Sequence, residues 1–397
     1  MCIRDSYNIL HETFNYGIGA QYMINKGNYI TADCYADHFS SSYCFFKDNK
    51  TYNGKAGEEQ VRKRTRNHNL SIKGIFKLGN RHKLSVGTEY IVDVLKSQTD
   101  NIAKEDAYTL ALFAQDEIKL LRNLQALIGV RYIYHENFKN HATPNVALMY
   151  KPGKFNFRAS YAAGFRTPTL SELYATDIAK KNDRLTIGNL DLKPEKNDYF
   201  SLSAEYVHER FSVSVNAFYN NIRDMIDYNT IATGDKAMEQ YGHKEVRQRD
   251  NIAEAKVHGI NVSANAYLGA GFNLSGGYTH LNTQDVELEQ PIDKSIKNAY
   301  NINAQWAHSW KIYRLNINLN GRINSKRFSK SYGYAPEYQL WDLNTRHSFN
   351  LKSVIIEPGC GMENLFDYMD DRPYNSNYAT LTPGRSFYIS LSLKFKS

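Results

Sequence analysis

The side chains that most often perform catalysis are scattered in this 397-residue sequence, which contains 12 histidines and four cysteines. It has no HExxH, GxSxG, P-loop or zinc-ligand spacing, the usual signatures of hydrolytic, phosphoryl-transfer and metal chemistry. The sequence therefore predicts a protein that is not an enzyme. Cys34 and Cys44 flank a predicted loop, and both a disulfide and two free thiols fit their spacing.

Two charged clusters could bind ions or polyanions. Asp367, Asp370 and Asp371 offer the oxygen ligands that Ca²⁺ prefers, but their spacing is not that of an EF-hand, and solvated loop charge is the favoured interpretation. The run Arg62–Arg66 is the densest group of cations in a chain of net charge +8. No nucleic-acid-binding motif accompanies this run, so we expect a solvated loop and no nucleic-acid partner.

Composition restricts the elements that can position these residues. The chain has 30 Tyr, 19 Phe and 3 Trp but only 9 Pro, a composition that suits β-strands. Its mean hydropathy is −0.57, and it has no run of about 18 apolar residues. These values exclude a bundle of membrane-spanning helices. They do not exclude membrane-spanning strands, in which only alternate residues face lipid.

Alternation of apolar and polar residues dominates the sequence and is clear in Lys297–Trp310 and Phe387–Phe395. Tyr300 and Trp310 share one face. At about 3.4 Å per residue and roughly 40° of tilt, they differ in height by about 26 Å. The apolar band of a membrane barrel is about 25 Å tall, with aromatic residues at both edges. We therefore predict that Tyr300, Trp310 and Tyr313 belong to aromatic girdles, with ordinary cross-strand packing as the alternative.

Short turns alternate with longer connections along the chain. Short turns are predicted near residues 25–28, 79–82, 121–124, 152–155, 209–211, 269–271, 310–313 and 350–353. Longer connections are predicted between them, including Ser97–Asp106 and Phe138–Thr143. The pattern predicts an all-β fold, an antiparallel transmembrane β-barrel with about 17 strands. A soluble carbohydrate-binding β-sandwich is the alternative, but its strands average only about 5–6 residues.

Five segments resemble, in order along the chain, the TonB-dependent outer-membrane receptor family. They are Leu112–Glu117, Gly164–Tyr174, Gly188–Glu195, Asn251–Ile260, and Glu363–Asp367 followed by Pro383-Gly384-Arg385. The resemblance covers the chain from Ala107 to its end. It implies structural roles for Gly164, Phe165, Pro168, Glu172, Leu192, Pro194, Glu195, Gly259, Asn364, Leu365, Pro383, Gly384, Arg385 and Phe395.

The resemblance also implies a domain organisation. Barrels of this family have 22 strands and enclose an N-terminal plug, so about 17 strands predict a barrel that is incomplete at its N-terminus. We expect residues 1–397 to be the C-terminal part of a receptor barrel, without a plug and without the apolar segment of a signal peptide. Unpaired strand edges are costly in lipid, so such a piece is not expected to transport by itself.

The function implied by the resemblance is TonB-energised uptake of a scarce ligand, such as a ferric siderophore or cobalamin, across the bacterial outer membrane. A passive porin or structural barrel is the alternative. We expect a monomer that contacts outer-membrane lipid and lipopolysaccharide, and that reaches the TonB energy-coupling complex through the plug. No resident cofactor is expected. Haem receptors of the family carry a ligating histidine where Thr169–Ile187 has none, which leaves His141 and His243 as haem candidates.

Aromatic and basic side chains in the predicted extracellular loops are the candidates for ligand contact. Aromatic rings stack on flat ligands, and arginine binds anions. For every candidate, loop packing is the alternative role; Arg166, like Arg385, is expected first to pair with carboxylates of the barrel wall. The candidates are Arg166, Tyr174, Tyr332, Tyr334, Arg372, Tyr374 and Tyr378.

Overall fold

A computed structural model describes residues 6–50, 52–179, 183–252, 254–329, 333–369 and 382–396. Tyr332, Asp370, Asp371, Arg372, Tyr374 and Tyr378 lie outside these ranges. Among the helices of the described ranges, none has the length and apolar character needed to cross a membrane.

Strands make up most of the described chain. They are β1 (Tyr7–Asn25), β2 (Asn28–Phe45), β3 (Glu59–Leu78), β4 (His82–Ser97), β5 (Ile102–Leu121), β6 (Leu124–His135), β7 (Lys139–Tyr150), β8 (Phe155–Arg166), β9 (Thr176–Ala179), β10 (Arg184–Ile187), β11 (Glu195–Val207), β12 (Phe211–Arg223), β13 (Ile226–Thr233), β14 (Glu245–Asn251), β15 (Ala255–Gly269), β16 (Phe272–Asp285), β17 (Asn298–Trp310), β18 (Tyr313–Asn324), β19 (Arg327–Ser329), β20 (Gly333–Ala335), β21 (Tyr338–Asn350), β22 (Val354–Glu363) and β23 (Ser386–Phe395). The helices are α1 (Leu170–Tyr174) and α2 (Gly234–Tyr241).

Seventeen of the described strands belong to one large sheet. Consecutive strands from β1 to β6 pair antiparallel, and so do β15 to β18 and β21 to β23. A four-stranded sheet (β13, β14, β10, β9) and the hairpin β19–β20 stand apart from it. The predicted all-β class and the number of about 17 strands are confirmed.

Turn chemistry explains where the strands end. All eight predicted short turns separate strands at the expected positions, and Gly27 and Gly269 supply the positive φ that such turns require. Two predicted long connections are wrong, because β4 and β5 leave only residues 98–101 between them, and β6 and β7 leave only 136–138. The polar residues at 104–106 and 139–141 belong to β5 and β7 and not to loops.

The chain divides into two compact units. Unit 1 contains residues up to 147, 162–198 and 222–253, and unit 2 contains residues 148–161, 199–221 and those from 254 onward. Both have strands with an exposed apolar face. In unit 1, Leu70 and Ile72 of β3 are 49% and 45% exposed. In unit 2, Phe387, Ile389 and Phe395 of β23 are 70%, 89% and 81% exposed.

The opposite face of these strands is polar and internally hydrogen-bonded. Asn69 of β3 donates to Glu89 at 2.8 Å, and Glu89 also pairs with Arg131. In unit 2, Asn303 of β17 donates to Asn318 and Asn320 of β18 at 2.7 and 2.6 Å. A soluble sandwich would instead bury its apolar face. Apolar side chains directed outward and polar ones inward are the arrangement of a membrane barrel.

The residues of the predicted girdles lie near strand ends. Tyr300 stacks on Tyr278 with 4.7 Å between ring centroids, and Trp310 stacks on Tyr313 at 5.6 Å. Tyr300 lies near one end of β17 and Trp310 at the other. Their placement at the edges of a membrane remains a prediction.

The positions of Cys34 and Cys44 decide between a disulfide and two free thiols. Cys34 and Cys44 are both in β2, ten residues apart on one extended strand, so about 33 Å separates them. A disulfide requires Cα atoms within about 7 Å. Both thiols are therefore free, as is Cys360.

The C-terminal family motif connects β22 to β23. The buried Asn364 side chain donates to the carbonyl oxygens of Tyr368 and Pro383 at 2.7 and 3.0 Å and accepts from the Tyr368 amide at 2.8 Å. Asp367 Oδ1 accepts from the Arg385 amide at 2.7 Å. A Cβ at Gly384 would come within 3.0 Å of the same oxygen. Asn364 and Asp367 thus order the entry into β23.

Gly259 in β15 gives a test of this close strand pairing. A Cβ there would overlap the His280 carbonyl oxygen of β16, so Gly259→Ala is expected to destabilise the folded sheet by about 1–3 kcal/mol. Gly276→Ala in β16 is the matched control, because its Cβ would lie 3.4 Å from the Asn301 carbonyl oxygen. The measurement is the temperature at which the folded band disappears in a heat-modifiability gel. Equal temperatures for the two variants would contradict the prediction.

Candidate functional site

A small mixed sheet in unit 1 positions the candidate site. β9 and β10 pair antiparallel, β10 and β14 pair parallel, and β14 and β13 pair antiparallel. One face of this sheet is apolar and packs against α2 through a buried cluster. The cluster comprises Leu185, Ala232, Ala237 and Val246. Alternation along each strand directs the neighbouring polar residues to the opposite face.

Register brings polar residues of different strands together on that opposite face. Thr186 of β10 lies opposite both Asp177 of β9 and Arg247 of β14, and Tyr228 of β13 lies opposite Arg249 of β14. These strands line a cavity of about 370 Å³, which we call the basic pocket. Its lining residues are Lys63, Asp100, Ser171, Ala175, Asp177, Arg184, Thr186, Ile187, Gly188, Tyr228, Arg247 and Arg249.

The cations of the basic pocket are held in different ways. The guanidinium carbon of Arg249 lies 3.5 Å from the centroid of the Tyr228 ring, and Arg249 also donates to the Tyr228 hydroxyl at 2.6 Å. Arg247 Nε donates to Glu245 at 2.5 Å. The Nε of Arg184 is buried and has no hydrogen-bond partner among the described residues. The pocket therefore has positive charge that its own side chains do not fully compensate.

Two carboxylates moderate this charge. Asp100 accepts from Lys63 at 3.4 Å and from the Ser171 hydroxyl at 3.1 Å. Burial, and then the nearby Asp100 carboxylate, raise the pKa of Asp177 above its ordinary value. Four cations against these two carboxylates and Glu245, which pairs with Arg247, leave a net positive pocket that can bind an anion, and protonation of Asp177 would make it more positive.

An ion cluster holds the segment before the basic pocket. Arg166 at the end of β8 donates to Glu195 from Nε and Nη2 at 2.7 and 2.5 Å, and to Glu172 from Nη1 at 3.0 Å. Glu172 also closes a capping box with Thr169 at the start of α1. Burial opposes ionisation of Glu172, but hydrogen bonds from Arg166 and Thr169 outweigh it and lower its pKa.

Other family-motif residues complete this framework. Leu192 is 4% exposed and packs with Leu173 and Ile226, while the Ile226 amide donates to Glu195 at 2.8 Å. Asn251 bridges the carbonyl oxygens of Lys193 and Asp224 at 2.9 and 2.7 Å. Pro168 and Pro194 are buried at the two ends of the segment, and Gly164 leaves room for the Asn197 side chain.

The predicted ligand residues are only partly brought to this site. Arg166 is engaged by two carboxylates, and Tyr174 packs against the Leu173 cluster. Tyr334 lies in β20, is 59% exposed and contacts the Phe328 ring at 5.3 Å. The other four candidates, Tyr332, Arg372, Tyr374 and Tyr378, lie outside the described residues. The roles of all seven as ligand contacts remain predictions.

Sequence reasoning missed the residues that line the basic pocket. The alternation of Arg247 and Arg249 was a usable signal, since residues two apart share a face of a strand. Both lie within Asn229–Ile252, where the sequence predicts one long connection; this prediction is wrong, because the segment contains the end of β13, α2 and β14. Arg184 and Asp177 carried no comparable signal, because β9 and β10 have only four residues each.

The candidate metal and haem ligands of the sequence do not form a metal site among the described residues. Within the described ranges, no group of three or more His, Cys, Asp or Glu side chains is arranged to hold a metal ion. Asp367 orders a turn, while Asp370 and Asp371 are not described. His141 stacks on Phe165 at 4.0 Å between ring centroids, and His243 pairs with Asp183 at 2.9 Å. A role for either histidine in haem binding remains untested.

The ion cluster gives a testable consequence. Arg166→Ala would leave Glu172 and Glu195 without their shared cation, so we expect faster amide hydrogen exchange in residues 169–179 and 183–195. The free-energy loss is on the order of 1–2 kcal/mol, since the Arg166 side chain is 42% exposed. Arg158→Ala is the control, because Arg158, also in β8, donates to the Met149 sulfur. Unchanged exchange in Arg166→Ala would contradict a structural role.

Comparison with known proteins identifies the fold family. A family model described as "TonB dependent receptor-like, beta-barrel" matches residues 4–365. A mutant of the ferric enterobactin receptor PfeA from Pseudomonas aeruginosa is 18% identical with a TM-score of 0.79, over 98% of this chain and 62% of that one. The siderophore receptor PirA from Acinetobacter baumannii is 16% identical with a TM-score of 0.75, over 97% and 62%.

A third structure, the ferric preacinetobactin receptor BauA from Acinetobacter baumannii, is 15% identical with a TM-score of 0.68, over 98% of this chain and 63% of that one. The chain thus spans about three fifths of the length of these receptors. Proteins of the matched family are outer-membrane receptors, which confirms the predicted location and the prediction of a protein that is not an enzyme. The chain belongs to the TonB-dependent receptor β-barrel family.

Proposed function

We propose that this chain forms the barrel and ligand-binding loops of a receptor that imports a ferric siderophore with energy from the TonB complex. The basic pocket is the observation that supports this ligand class. Many ferric siderophores are compact and anionic, and arginine forms paired hydrogen bonds with their oxygen donors. The similar structures are those of receptors for ferric enterobactin and ferric preacinetobactin.

Size and charge favour a siderophore over cobalamin as the ligand. The basic pocket has about 370 Å³, near the lower end of the range for small-molecule sites. Cobalamin is larger and lacks the multiple negative charge that Arg184, Arg247 and Arg249 would compensate. The ring of Tyr228, already fixed beneath Arg249, offers a flat surface beside the cations.

Energy coupling is the second part of the proposal. We infer that the TonB complex acts through a plug domain enclosed by the barrel, and that the receptor works as a monomer. Family membership supports coupled uptake over the passive porin alternative. A pocket that binds an anion is also more useful to a receptor than to a general diffusion pore.

The pocket arginines can be tested by binding to the folded chain in detergent. The double variant Arg247→Ala/Arg249→Ala is expected to weaken binding of a trianionic ferric tris-catecholate by at least about tenfold, since it removes two charge-assisted contacts. Quenching of intrinsic fluorescence measures the affinity. Arg210→Ala, in the short turn between β11 and β12, is the control of equal chemistry. Tighter binding of cobalamin than of the ferric chelate would contradict the assigned ligand class.

The raised pKa of Asp177 gives a second test. Its carboxylate opposes an anionic ligand, so Asp177→Asn is expected to strengthen binding of the ferric tris-catecholate several-fold at pH 7. Below the pKa of Asp177 the parent chain is neutral there as well, so the ratio of the two affinities should approach one as the pH falls. Taking this ratio cancels the titration of the ligand itself. A pH-independent ratio would show that Asp177 does not face the ligand.

A further inference from the structure

The basic run of β3 is divided between the two faces of the large sheet. Arg64 and Arg66 lie on the same face as Leu70 and Ile72, because residues two apart share a face of a strand. That is the exposed apolar face of the sheet. Lys63, by contrast, lies on the other face and lines the basic pocket. Arg62 lies over the ring of Tyr43 at 5.1 Å.

Strand pairing places a third cation beside these two. Lys96 of β4 lies directly opposite Arg64 of β3. We call Arg64, Arg66 and Lys96 the outer basic patch. Like charges directly opposite each other in a sheet repel, and the three side chains form no ion pair or hydrogen bond with another described residue. The patch therefore has positive charge without an internal counter-ion.

The neighbouring anions are already engaged. Asp106 of β5 pairs with Lys104 at 3.0 Å, and Glu12 of β1 accepts from the Ser40 hydroxyl at 3.3 Å. His38, opposite Arg66, adds no negative charge to the patch. The local charge is therefore net positive, and its compensation must come from outside the described chain.

The height of the outer basic patch identifies what lies against it. Phe76 and Arg66 share the apolar face of β3 ten residues apart, which corresponds to about 26 Å at roughly 40° of tilt. The hydrocarbon-facing band of an outer-membrane barrel is about 25 Å tall. Phe76 is close to the short turn at 79–81, so with Phe76 at the lower edge of the band the patch lies just above its upper edge, at the level of lipid headgroups. It is at the end of β3 that connects to β2 through residues 46–58, away from the short turn at 79–81, and long connections are extracellular in such barrels.

We propose that the outer basic patch binds the phosphate groups of lipid A, the anchor of lipopolysaccharide, in the outer leaflet. Arginine forms paired hydrogen bonds with phosphate, and lysine supplies a point charge. Below the patch, Leu70, Ile72 and Val92 offer an apolar surface to acyl chains. The site needs membrane insertion but not siderophore binding, so it can fail or succeed independently of the proposed uptake.

The experiment measures lipid affinity of the folded full chain in detergent. Diphosphoryl lipid A is titrated and complexes are counted by native mass spectrometry, with inorganic phosphate and phosphatidylglycerol in separate arms. The triple variant Arg64→Ala/Arg66→Ala/Lys96→Ala is expected to bind lipid A on the order of 100-fold more weakly, because each basic residue near an anionic lipid surface contributes several-fold. A heat-modifiability gel verifies that each variant is folded.

Two further variants make the result decisive. Lys77 and Lys83 are also directly opposite each other on β3 and β4. They lie on the polar face at the short-turn end, where Lys83 pairs with Glu117 at 3.1 Å, so Lys77→Ala/Lys83→Ala should retain the parent affinity. Arg64→Lys/Arg66→Lys keeps the charge and should lose less than tenfold, which distinguishes charge loss from misfolding. Parent-like affinity in the triple variant would overturn the proposal. Equally tight binding of phosphatidylglycerol or inorganic phosphate would overturn the assignment to lipid A.

Discussion

Backbone hydrogen bonding in lipid is the constraint on which the rest of this structure depends. Hydrocarbon offers no partner to an unpaired amide or carbonyl, so each membrane-crossing strand must be paired along its length. β3 satisfies this requirement, since its residues 63–75 pair with β2 on one side and with β4 on the other. Because backbone hydrogen bonds alone satisfy this requirement, the side chains on the two faces of a strand can differ in polarity. Apolar residues such as Leu70 contact lipid, and polar ones such as Asn69 bond to each other.

A sheet with this polarity has no conventional apolar core, and that changes what holds the loops. The buried apolar clusters of unit 1 are small groups around Leu95, Leu185 and Leu173. Ion pairs and caps supplement them, as in the cluster of Arg166, Glu172 and Glu195. Family motifs therefore consist largely of charged residues, prolines and glycines rather than of apolar runs. The motif residues hold the segment that contains β9 and β10. These two strands in turn position part of the basic pocket.

The parts of the structure that follow from local alternation were predictable, and those that depend on long-range pairing were not. Strand number and all eight short turns follow from period-2 patterns and turn residues. Strand length does not follow from these patterns, because β5 and β7 begin with polar residues that resemble loops. The basic pocket was the largest omission. Arg184 and Arg247 are 63 residues apart in sequence, and only the parallel pairing of β10 with β14 brings their strands together. No local pattern contains that pairing.

Face parity is what separates the two basic sites of unit 1. Arg64 and Arg66 share a face, as do Arg247 and Arg249, and each pair has the same sequence spacing. The first pair lies on the apolar face of the large sheet, the second on the polar face of the small one. Lys63 also shows the effect of face parity, because it lies between Arg62 and Arg64 in sequence but lines the basic pocket with Asp100. A one-residue slip of β3 would move Lys63 to the lipid face and Arg64 toward the pocket. The chemistry available at either site is therefore determined by register rather than by composition.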